Sequence, residues 1–142
     1  MRKILEKQTL LYPMPVLIIG TYDENGKADA MNAAWGGIKD TNQIYICLSP
    51  EHKTGNREEN KIEKTGWTVS KAHSVNAPIF EELPFALECE VESYDEESCM
   101  LVANIKNISC DEKILTDKNK IDVKKLRPIT FDSSNNTYIE LG

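Results

Sequence analysis

The apolar residues of this chain come in short runs separated by clusters of Gly, Pro, Asn, Asp and Ser, the spacing of strands and turns rather than of long helices. Residues 16–22 (VLIIGTY) are apolar and β-branched and predict a strand buried on both sides at its start. Tyr12-Pro13-Met14-Pro15 is a rigid approach to it, because two prolines forbid a helix and deny a central sheet position. Earlier still, residues 1–11 carry Ile4, Leu5, Leu10 and Leu11 among charges, which fits a short amphipathic piece or an extended lead-in. Asp23-Glu24-Asn25-Gly26 predicts a hairpin turn, since Asn and Gly both tolerate positive φ. The returning strand, residues 27–34, then delivers Asn32 to Gly37 near Pro13 and Pro15.

Residues 43–48 (QIYICL) predict another strand, stopped by Pro50, after which Ser49 or Thr54 can cap a helix over the charged stretch 55–64 with Ile62 as its one strong anchor. Gly66 closes that helix, and Trp67-Thr68-Val69-Ser70 begins a fresh strand. Residues 71–78 have no periodicity, and 79–83 offer at most a single turn before Pro84. Phe85, Leu87, Cys89 and Val91 alternate with Glu88, Glu90 and Glu92, so residues 85–94 read as a strand with one buried and one wet face. Residues 95–98 turn it into a partner over 99–109, followed by a polar excursion at 111–118 and a short helical turn at 122–126. Residues 129–131 and 138–141 are two further short strands. About seven or eight strands and one or two short helices make a mainly β domain, and a closed or nearly closed antiparallel barrel is the arrangement that hides their edges; Greek-key connectivity is compatible with it.

Composition narrows the function. The 142 residues suit one domain, and 40% hydrophobic with 28% charged residues is an ordinary soluble balance. No apolar run approaches the roughly 20 residues of a membrane helix, and the N-terminus lacks a secretory pattern, so a cytoplasmic protein is expected. A net charge of -6 without a basic stripe argues against nucleic acid. Cys47, Cys89, Cys99 and Cys110 form no C-x-x-C pair and are expected as buried free thiols.

Two stretches carry candidate chemistry. In 30–37 (AMNAAWGG), Asn32 supplies amide donors and an acceptor, the small residues give access to the main chain, and Trp35 is one large flat surface, which is how a chain receives a planar ligand. The plain alternative is a strand ending in a tight glycine turn with Trp35 in the core. Ser49 to Thr54 gathers hydroxyl, imidazole and ammonium groups where a helix is expected to start, a setting that suits an anionic phosphate; the alternative is a simple strand-to-helix turn. Hydrolase and zinc motifs are absent, no metal site is indicated, and the adjacent acidic pairs read as solvated faces.

Four blocks in the same order carry a resemblance: Tyr12-Pro13-Met14-Pro15-Val16 with Ile19-Gly20-Thr21; Ala30-Met31-Asn32-Ala33-Ala34-Trp35; Leu48-Ser49-Pro50-Glu51-His52-Lys53-Thr54; and Thr65-Gly66-Trp67-Thr68-Val69-Ser70. Together with Pro84-Phe85-Ala86-Leu87-Glu88-Cys89 and Lys125-Leu126-Arg127-Pro128-Ile129, they make almost the whole chain resemble the flavin reductase-like family of the FMN-binding split-barrel superfamily, which includes the flavoredoxins. The resemblance implies a homodimer holding FMN noncovalently near the subunit interface. It places the isoalloxazine ring beside Met31, Asn32, Ala33, Ala34 and Trp35, and the phosphate on Ser49, Lys53 and Thr54, with His52 as a second ligand. It implies an oxidoreductase passing hydride or electrons between a donor such as NAD(P)H and flavin; a noncatalytic split-barrel dimer that carries flavin, or has lost it, is the alternative. Against relatives, the link between Ser70 and Asn76 is short, only residues 71–75, where a longer segment with glycines and aromatics is expected, and a basic, glycine-containing tail is expected after the last strand.

Overall fold

The computed structural model describes residues 1–49, 62 and 65–141. Ten strands appear among them, every pairing antiparallel: β1 (Leu17–Tyr22), β2 (Ala28–Ala33), β3 (Gly36–Asp40), β4 (Gln43–Cys47), β5 (Val69–Lys71), β6 (Pro78–Phe80), β7 (Phe85–Asp95), β8 (Met100–Cys110), β9 (Ile129–Asp132) and β10 (Thr137–Glu140). One four-stranded sheet runs β3-β4-β8-β7, and β1-β2, β5-β6 and β9-β10 are pairs. The mainly β split-barrel fold expected from the sequence is the fold observed. Apart from the helical residues Ile62 and Thr65, its helices among the described residues are a 3-10 turn at Glu112–Ile114 and α1 (Val123–Leu126). The helix expected over 55–64 lies, Ile62 apart, outside the described residues. Among the described residues no helix is long and apolar enough to cross a membrane.

The hairpin signal acts as expected. Asp23 carboxylate accepts from the Asn25 and Lys27 N–H groups at 2.8 Å each, and Gly26 takes φ +79°. Leu17 then faces Ala33 in register, which carries the end of β2 back to the proline approach. That approach is tied to β9: Met14 N–H donates to Thr130 Oγ1 at 2.6 Å, Phe131 N–H donates to the Met14 carbonyl at 3.0 Å, and Tyr12 Oη donates to Asp132 at 2.8 Å.

Four readings need correction. The first is the plain alternative for 30–37: Gly36 and Gly37 open β3 instead of forming a turn, and Trp35 is 53% exposed instead of core. A Cβ on Gly36 would stand 2.8 Å from the Tyr45 carbonyl oxygen, so the close approach of β3 to β4 is what requires glycine there. Residues 78–80 form β6 instead of preceding a mere turn; Phe80 packs against Trp67, ring centroids 5.4 Å apart, and closes over Gly20 of β1. A three-residue strand beginning with proline is too short to show a period.

The third concerns β7. Glu88 is buried, whereas Val91 and Phe85 are exposed. Irregularities between Glu88 and Cys89 and between Val91 and Ser93 break the strict alternation, because a bulge shifts which residues share a face. The four cysteines are free but half-buried instead of fully buried.

Candidate functional site

The sequence-flagged segment 31–35 spans the end of β2 and the link to β3. Met31, paired with Ile19, is half-buried; Ala33, paired with Leu17, is buried; Asn32 between them alternates to the other side and is exposed. Ala34 is half-buried, and Trp35 offers its indole to solvent. The result is a small-residue shelf with an amide at one step and a flat aromatic at the next.

The second segment meets this shelf through the backbone. Cys47 N–H donates to the Trp35 carbonyl at 2.7 Å, so the end of β4 lies directly beside Trp35. One residue on, Leu48 N–H donates to the Cys99 carbonyl at 2.7 Å, and the Leu48 carbonyl accepts from Tyr94 Oη at 2.6 Å. Half-buried Ser49 follows at once. His52, Lys53 and Thr54, expected as phosphate ligands, lie outside the described residues. The structure thus joins two stretches that are well separated in sequence, and it does so with main-chain bonds that any residue type can make.

Met31 and Ser49 also line an apolar interior cavity of about 1280 Å³, shared with Ile44, Ile46, Leu48 and Leu101. That volume exceeds the roughly 300–1,000 Å³ of a ligand pocket, so it is read as space between the sheets instead of a fitted site. Neither Asn32 nor Trp35 lines it: the cavity borders half-buried Met31 and Ser49, while Asn32 and Trp35 are exposed.

Two polar features were not legible in the sequence as parts of this region. Glu88 is 3% exposed and borders the cavity; its carboxylate accepts from Ser74 N–H at 2.7 Å and from Asn107 Nδ2 at 2.8 Å. Burial pushes this carboxyl up, but the Ser74 N–H, the Asn107 amide and the neighbouring His73 outweigh it, and the net shift is downward. Glu88 therefore fastens the loop after β5, itself closed by Ala72 N–H to the Ala77 carbonyl at 2.8 Å. Tyr94 is the other. Its burial, followed by the nearby Cys99, Glu96 and Asp95, raises its pKa, so the phenol stays protonated and can donate to Leu48. A glutamate in an alternating strand and a tyrosine before an acidic turn carry no sequence signal for partners found 14 and 46 residues away.

No protein-family model matches the chain, and no curated protein matches it significantly. Solved structures do. Flavoredoxin of Desulfovibrio vulgaris (Miyazaki F) superimposes with a TM-score of 0.89 at 26% identity, covering 100% of this chain and 94% of that one. Flavoredoxin from Methanosarcina acetivorans gives 0.81 at 22% identity over 100% and 92% of the two chains. An FMN-binding domain of a flavin reductase-like enzyme from Shewanella baltica gives 0.74 at 12% identity over 90% and 86%.

Proposed function

We propose that this chain, whose fold is that of the flavoredoxins and flavin reductase-like FMN-binding split-barrel proteins, is a flavin-binding oxidoreductase using FMN, with NAD(P)H as electron donor, in the cytoplasm. The single observation that carries the reading is the bond from Cys47 N–H to the Trp35 carbonyl, since it sets the planar-ligand shelf beside the start of the phosphate segment. An elongated cofactor with a flat ring at one end and a phosphate at the other matches that pair of neighbours.

The donors fit such a group. The exposed Asn32 amide can meet the polar edge of a ring, Ala34 leaves room for it, and Trp35 bounds it as a flat wall, with Met31 and Ala33 backing the strand from its other face. Ser49 begins the set for the phosphate, to which we assign His52, Lys53 and Thr54 as well; the lysine supplies charge and the hydroxyls supply directed hydrogen bonds. When bound, the flavin supplies the redox chemistry, and the chain's part is binding, orientation and exclusion of water. Because Asn32 and Trp35 face outward, one chain leaves the ring side of the site open, and we assign its closure to a second copy, making the working unit a homodimer.

A noncatalytic flavin carrier is the second reading, favoured by the compact link of residues 71–77 that Glu88 fastens where a longer cover is expected. Titration with FMN tests both. Flavin binding at 100 times Kd should stabilise the protein by about 2.7 kcal/mol, and anaerobic NAD(P)H should then bleach the bound flavin. A thermal midpoint unmoved by FMN overturns flavin binding; binding without bleaching leaves the carrier.

A further inference from the structure

We propose that the Tyr94 hydroxyl is the positioning group for the phosphate end of the flavin site, acting through the Leu48 peptide on Ser49. This rests on the assignment of Ser49 to the phosphate made above.

β4 is regular as far as Cys47, opposite Met100, and its pairing with β8 continues one step through the Leu48 N–H, while the Leu48 carbonyl is taken by Tyr94 instead of β8. The two peptides flanking Leu48 are thus held from two sides. The Leu48 N–H is taken by the carbonyl of Cys99, which sits at φ 60° in the β7–β8 turn, and the Leu48 carbonyl is taken by Tyr94 Oη at 2.6 Å. Tyr94 stands on β7, opposite Leu101 and separated from β4 by β8, and only a side chain of its length spans that strand. The Leu48 carbonyl and the Ser49 N–H belong to one planar peptide unit, so an oxygen held by Tyr94 fixes where the Ser49 N–H points. It also fixes where the chain leaves β4. Phosphate recognition depends on donors aimed at the anion, and a rotation of this peptide would turn the Ser49 N–H away.

The chemistry of the phenol suits this part. Burial and the surrounding Cys99, Glu96 and Asp95 keep it protonated, so it donates throughout the neutral range. A neutral phenol has one proton to give, and it is spent on the Leu48 carbonyl; Tyr94 therefore orients the site without itself competing for an anion.

The test compares FMN with riboflavin, which lacks the phosphate, by quenching of flavin fluorescence. Tyr94→Phe removes only the hydroxyl. It should weaken FMN roughly fivefold, the worth of one net hydrogen bond, and change riboflavin less than about twofold. Equal losses for both flavins or no loss for FMN would each overturn the proposal. Tyr94→Met, which fills the space without a hydroxyl, serves the same comparison if the phenylalanine variant does not fold. Wild-type protein that binds neither flavin overturns the flavin assignment itself, an outcome distinct from a wild type that binds FMN and a variant that does so equally well.

Discussion

Glu88 shows how far a single residue can depart from its pattern. Its neighbours in sequence, Glu90 and Glu92, are exposed as alternation demands, while Glu88 is buried and takes donors from Ser74 and Asn107. Its pKa lies below the ordinary value of 4.5, so the stability it contributes is fully present above that value and is lost as pH falls through the depressed pKa. Glu88→Ala removes the charged acceptor of two part-buried bonds, from the Ser74 N–H and the Asn107 amide, and should cost about 1–3 kcal/mol at neutral pH. Thermal melts at a series of pH values check this: the gap between wild type and variant should close in acid, and a gap independent of pH would refute the carboxylate's part. Asp132 shifts in the same direction. The Asn135 amide and then the Tyr12 hydroxyl hold its carboxyl below the usual range, tying the proline approach to β9.

At the scale of elements, the sequence is most legible where a local rule sets the backbone. Asn25-Gly26 predicts the β1–β2 hairpin because the turn needs positive φ, and the turn is there. The short cap at α1 is equally local, with Asp122 accepting from the Lys124 and Lys125 N–H groups at 3.0 and 3.3 Å. Two glycines after a tryptophan suit the plain reading of a turn, while what requires glycine at position 36 is the Tyr45 carbonyl across the sheet. Gly36→Ala should therefore push β3 from β4, destabilise by about 1–3 kcal/mol and weaken FMN, since the Trp35 to Cys47 contact adjoins that pair. Denaturant unfolding with a parallel FMN titration measures both; an unchanged midpoint would show that the strands yield without cost.

For the whole molecule, the outward residues matter most. Trp35 at 53%, Ile38 at 83% and Val91 at 59% exposure leave apolar side chains without cover in one chain. Sedimentation equilibrium should accordingly give twice the 16.1 kDa chain mass, and dilution below the dimer constant should release flavin. A monomer that retains flavin would overturn the closure of the site by a second copy.

The sequence by itself determined the β class, the hairpin and most strand positions, because periodicity and turn residues are local properties. Tertiary structure alone decided that Trp35 faces solvent, that Glu88 is buried, that residues 78–80 make a strand and that Tyr94 holds Leu48. Each depends on a strand that arrives from far along the chain, and a side chain's partner across a sheet leaves no mark on its own neighbours.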